Sequence, residues 1–83
     1  MKQVLSVVLK EQADTLVRLT GLCYRRGVSI ESLSYAPELL VGHVRIKAVL
    51  SCARTDAEQL QRHVSKLVDV VRTEVTPHLE GSL

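Results

Sequence analysis

The 83-residue sequence predicts an α+β fold in which two helices cover one face of a four-stranded antiparallel sheet. Three observations carry that reading. The stretch Leu16–Leu33 has the pattern of a helix, a glycine stop and the opening of a strand. His43–Cys52 alternates apolar and polar residues with the period of a half-buried strand. From Thr55 onward, Leu60, Val64, Leu67 and Val68 recur at i, i+4, i+7 and i+8, a second helical stripe.

Taken in order, Lys2–Lys10 is a Val-rich strand with loose alternation, Leu5, Val7 and Leu9 against Val4, Ser6 and Val8. Glu11–Thr15 is polar and joins that strand to the first helix, with Asp14 as the expected N-cap acceptor. The helix runs from about Thr15 to Arg26 with Leu16, Leu19, Thr20 and Cys23 on one face. Arg25 and Arg26 suit the negative end of its dipole, and Gly27 suits a left-handed C-terminal cap. Ser29–Pro37 is a second strand, with Leu33 and Tyr35 on a common face, and Glu38–Gly42 turns into the third. Thr55 and Glu58 have capping-box spacing at the start of the second helix. Val70–Thr76 is the last strand. The order β-α-β-β-α-β is ferredoxin-like, a topology that hosts many unrelated activities. A single domain over residues 1–76 and a loose tail over 77–83 are expected.

Composition narrows the chemistry. A chain this short buries about 60–65% of the surface its unfolded form exposes. Its 46% apolar content rests on thirteen Leu and thirteen Val, with Tyr24 and Tyr35 as the sole aromatics, so the core is expected to be aliphatic. The net charge of +2 is spread along the chain and gives nucleic-acid binding little support. Base stacking on this topology uses strand aromatics, and the third strand has none. There is no signal-peptide pattern and no apolar run near membrane-spanning length, so a cytoplasmic chain with free thiols at Cys23 and Cys52 is expected.

Catalytic and metal chemistry find no constellation. His43, His63 and His78 fall in three segments, and neither cysteine has a second ligand at metal-binding spacing. Two thiols cannot hold an iron–sulfur cluster. Glu11 and Asp14 read as cap and solvent-facing charge rather than an acid–base pair, and Cys23 as helix packing. A phosphate-cradling loop of the acylphosphatase kind is not expected where Glu11–Thr15 is acidic. By these residues alone the chain is a small binding or interaction module.

Two motifs go further. Leu16-x-Arg18-Leu19-x-Gly21-Leu22, then Arg25-Arg26-Gly27 and Ile30-Glu31-Ser32-Leu33, resemble the R-(V/L)-x-G-L-F…R-R-G-(F/Y)-N-I-E-S-L run of the ACT domain of acetolactate synthase small subunits. Cys23 stands where Phe is common, and Val28-Ser29 replaces the aromatic-Asn pair. Gln61-x-x-x-Ser65-Lys66-Leu67-Val68-Asp69-Val70 is similar to the family's Q-L-x-K-L-(V/I)-D-V segment. The resemblance covers roughly residues 3–76.

That resemblance implies a non-catalytic, activating regulatory subunit in branched-chain amino-acid biosynthesis, dimerising side by side through its ACT domain. Its partner would be the catalytic large subunit. Thiamine diphosphate, Mg²⁺ and FAD would sit on that partner, leaving this chain without a cofactor of its own. The resemblance also locates an effector loop at Glu11, Gln12, Ala13, Asp14, Thr15 and Leu16, with Ser29 and Ile30. Valine-responsive members carry Asn, Gly and Asn where Glu11, Asp14 and Ser29 stand here. Carboxylates there would repel a ligand carboxylate, so a degenerate site with weak or absent valine feedback is expected, as in the short valine-insensitive subunits. The alternative is a stand-alone ACT sensor of another amino acid or small ligand.

Overall fold

The computed structural model describes residues 2–11, 14–67 and 69–78. The elements are β1 (Lys2–Lys10), α1 (Thr15–Arg25), β2 (Ser29–Pro37), β3 (His43–Ser51), α2 (Arg54–Val64) and β4 (Val70–Pro77). The four strands form one antiparallel sheet in the order β2-β3-β1-β4, the ferredoxin-like arrangement expected. β1 and β3 pair along their full length, from Lys2 opposite Ser51 to Lys10 opposite His43.

Register decides which residues enter the core. Leu5 lies opposite Ala48, Val7 opposite Ile46 and Leu9 opposite Val44, so one pleat face of both central strands is aliphatic. Those residues join Leu19 and Cys23 of α1 and Ala57, Leu60 and Val64 of α2 in one buried cluster. Each fully buried Leu or Ile contributes about 1.5–3 kcal/mol of transfer free energy, which is why a core without Phe or Trp suffices here. Thr20 also sits on the α1 stripe, and its hydroxyl donates to the Leu16 carbonyl at 3.0 Å. The opposite sheet face carries Ser6, Lys47 and Glu74 in cross-strand register.

The end of α1 forms as its sequence predicts. Gly27 has φ +67°, Val28 N–H donates to Cys23 O at 2.9 Å and Gly27 N–H to Tyr24 O at 3.1 Å. This bond pair is the Schellman motif, with buried Val28 and Cys23 supplying its apolar contact.

Both N-terminal caps differ from expectation. The Asp14 side chain caps no backbone N–H; its Oδ2 accepts from Arg18 Nη2 at 2.8 Å, one helical turn on. A guanidinium offers that carboxylate a charged donor, which competes with a neutral amide. The capping box is not formed either. α2 begins at Arg54 with Ala53 as N-cap, so Thr55 is already inside the helix. The earlier start closes the bond from Ala57 N–H to Ala53 O (3.2 Å) while burying Ala57 completely, and Glu58 turns to Arg54 (3.2 Å).

The second helix stops at Val64, short of the stripe's last members. Lys66 N–H to His63 O (3.2 Å) and Leu67 N–H to Val64 O (3.0 Å) tighten the chain into a turn, yet Leu67 still packs against the core. Val68 lies outside the described residues. β4 runs one residue beyond the expected Thr76: Pro77 pairs with Gln3, and His78 N–H donates to Lys2 O at 3.1 Å. The tail from 79 onward lies outside the described residues.

Candidate functional site

The stretch expected to form the effector loop begins where β1 ends. Lys10 N–H donates to Asp69 O and Glu11 N–H to Gly42 O, both at 2.9 Å. The exit of β1 is therefore clamped between the turn before β4 and the β2–β3 hairpin. Gly42, with φ +79°, supplies the left-handed residue that lets the hairpin reach Glu11. Glu11 is exposed and makes no ion pair among the described residues. Gln12 and Ala13 lie outside the described residues, and Thr15 is placed only as the first residue of α1. Leu16 is half-buried against the core.

Asp14 and Arg18 form a pair at the start of the helix. The loop's negative charge is therefore partly neutralised by the guanidinium of Arg18, a residue of the Leu16–Leu22 motif. The i,i+4 spacing of Asp14 and Arg18 was the signal that could have found it. Glu11 is left as the loop's uncompensated carboxylate among the described residues.

Ser29 and Ile30 are not near this loop within one chain. Ser29 lies opposite Ser51 on β3, and Lys2 lies opposite the same residue from the other side. Glu11 follows Lys10, at the other end of the sheet. Eight residues of strand separate the two ends, about 26 Å at the usual strand rise. The ion pair of Lys2 with Glu31 (3.1 Å) fixes the start of β2 at the far end. The residues expected to form one effector site thus lie at opposite ends of the sheet within one chain.

The outer strand β2 joins those ends. All its residues except Ile30 are exposed, including Leu33 and Tyr35, and one of its edges is free of strand partners among the described residues. Beyond its end, Glu38 accepts from Arg45 Nη2 and Nε (2.7 and 2.8 Å) and from Leu39 N–H (3.0 Å). Those bonds, the Leu39 amide first and Arg45 next, hold the Glu38 carboxyl below its ordinary pKa. Leu39, Leu40 and Val41 are exposed at the hairpin tip, an apolar feature of the Glu38–Gly42 turn.

Cys23 is buried and Cys52 half-buried; both are free thiols, and burial raises both pKa values. The described residues hold no group of three His, Cys, Asp or Glu side chains able to bind a metal ion. No described helix is long and apolar enough to cross a membrane.

A four-stranded antiparallel sheet under two helices, in βαββαβ order, defines a ferredoxin-like domain rather than a particular protein. The ACT domain model matches residues 11–73, and the chain belongs to the ACT domain family. It is 36% identical over 74 residues to the acetolactate synthase isozyme 3 small subunit of Escherichia coli, covering 87% of this chain and 44% of that protein. The acetolactate synthase small subunit of Mycobacterium bovis is 32% identical over 68 residues, 82% of this chain and 40% of the relative. The chain thus spans less than half the length of these curated relatives. The crystal structure of the small subunit from Thermotoga maritima superposes with a TM-score of 0.79 at 25% identity, over 93% of this chain and 47% of that one. The C-terminal domain of MgtC from Mycobacterium tuberculosis, at 14% identity and a TM-score of 0.78, shares the fold alone.

Proposed function

We propose that this chain is the regulatory ACT domain of an acetolactate synthase small subunit, acting on the catalytic large subunit without chemistry of its own. The observation that carries this reading is the 36% identity to an isozyme 3 small subunit over 74 residues. The chain works in the cytoplasm beside a partner that holds thiamine diphosphate, Mg²⁺ and FAD. It raises activity by binding the active conformation of that partner more tightly than the inactive one.

The working unit is a homodimer. A two-fold axis normal to the sheet sets β2 antiparallel to its copy and brings Ser29 of one protomer toward the Pro37 end of the other. That end also carries Glu11, so the two halves of the expected effector site complete each other across the interface. Side-by-side pairing would also cover the exposed edge of β2. In the completed site, Glu11 faces the carboxylate of an amino-acid ligand, and Asp14 is engaged by Arg18. Valine feedback is accordingly weak or absent.

The test is co-purification with the acetolactate synthase large subunit of the same genome, then activity with and without this chain across a valine titration. Stimulation without valine inhibition is the expected result. No association and no stimulation would sink the reading and leave a stand-alone ACT sensor. Sedimentation velocity tests the dimer separately.

A further inference from the structure

On the outer side of the helical layer, far in sequence from the effector loop, two segments converge on a basic groove of ≈ 330 Å³. Gln59, Arg62, His63 and Lys66 line it from α2 and the turn that follows, at i, i+3, i+4 and i+7. The fifth residue, Arg26, comes from the C-cap of α1, and its Nη2 donates to His63 Nε2. No carboxylate pairs with Arg26, Arg62 or Lys66 among the described residues. Lys2, Arg18, Arg45 and Arg54, by contrast, each hold one.

Helix-end electrostatics account for Arg62 and Lys66 taken singly, since cations suit the negative end of a helix. The same holds for Arg26 at the end of α1, but it does not account for the convergence of both helix ends on one groove, where Arg26 adds to positive charge that is already dense. Three cations around one imidazole in a concave site repel one another, and a compact anion in the groove removes that repulsion. Guanidinium forks from two segments, with an ammonium lining the same groove, suit the oxygens of a phosphoryl group. The Gln59 amide offers a donor and an acceptor to whatever that group is attached to.

We propose that this groove binds a phosphorylated small molecule, its phosphoryl group held by Arg26, Arg62 and Lys66, with His63 as a proton-linked fourth contact. The groups facing His63 are Arg26 from the end of α1 and Arg62 and Lys66 from α2 and its following turn, with no acid among them. Desolvation and those charges hold the imidazole below its ordinary pKa. A bound dianion offsets two of those three positive charges and draws Arg26 from His63 Nε2, so that nitrogen takes up a proton on binding and the anion binds more tightly as pH falls.

The probe is pyrophosphate, titrated into the full chain at constant ionic strength while backbone amide shifts are followed by NMR. Saturable shifts confined to Arg26 and the Gln59–Lys66 segment are expected. Joint Arg62→Ala and Lys66→Ala substitution should weaken binding at least about tenfold, the loss expected for charged hydrogen bonds. Arg72→Ala, on the sheet, should leave it unchanged. Arg26→Gln, on the other segment, should weaken it comparably, so a folding failure of one variant does not shelter the idea. Sulfate, whose charge is fixed between about pH 5.5 and 8, tests the proton link. Its affinity should rise on acidification, and His63→Gln should remove that dependence. Shifts that disappear at matched ionic strength, or spread evenly over Lys10, Lys47 and Arg72, would overturn the proposal. So would tighter capture of an oligonucleotide or polyglutamate at this groove.

Discussion

β1 and β2 are both nine-residue strands, and both lie in one antiparallel sheet. Their surroundings are opposite. β1 lies between β3 and β4 and buries Gln3, Leu5, Val7, Val8 and Leu9, whereas β2 pairs with β3 alone and buries no residue fully. β-Compatible side chains therefore serve two purposes here. In the centre they carry the hydrophobic free energy of the fold, and at the edge they leave surface and backbone groups available to a second chain.

The largest effect should come from the central layer. Leu50→Ala removes a fully buried side chain from β3 and should cost about 2–5 kcal/mol in chemical denaturation. A loss under about 1 kcal/mol would mean that the centre is as yielding as the edge, and the comparison would collapse.

Gly27→Ala probes the turn that delivers the chain from α1 to β2. A Cβ at Gly27 meets no atom within 4 Å, so the penalty is conformational alone, about 1 kcal/mol from its φ of +67°. Thermal and urea unfolding would measure it.

Leu33→Ala, on the edge, should cost about 1 kcal/mol or less in dilute protein, since Leu33 is 37% exposed. Its larger effect should be on self-association, read as a concentration-dependent shift in sedimentation velocity. A core-sized loss that does not vary with concentration would place Leu33 in the core rather than at an interface.

At the hairpin the comparison can be sharpened with pH. The Glu38 carboxyl is held below its ordinary value of 4.5 by the Leu39 amide and Arg45. A depressed carboxylate contributes stability that is present above the unfolded pKa and lost as pH falls through the folded one. Glu38→Gln should therefore lower stability at pH 7, and the gap from the parent should close as the pH falls below 4.5. The smallest effect belongs to Arg54→Ala, which removes an exposed i,i+4 pair worth about 0.3–0.5 kcal/mol.

Element order and the core stripes were legible because strand and helix impose periods of 2 and 3.6 on burial, and Leu5, Ile46, Leu60 and Val64 obey them. Caps were harder to read. Asp14 and Thr55 have the right chemistry, but Arg18 draws the first carboxylate away, and the burial of Ala57 starts α2 before Thr55. Helix length was overestimated because Leu67 keeps the stripe's spacing while packing on the core from a turn. In the candidate site, Glu11 to Leu16 is contiguous and can be found by motif; the placement of Ser29 cannot, because it depends on strand direction.

The sequence alone therefore determined the ACT family, the order of elements, the aliphatic core and the glycine stop at Gly27, since each is local or periodic. Only the tertiary structure set Glu11 and Ser29 at opposite ends of the sheet, left β2 at an edge, and carried Arg26 onto His63, 37 residues away. Those relations come from register and helix packing, which bring together residues whose spacing along the chain holds no record of the meeting.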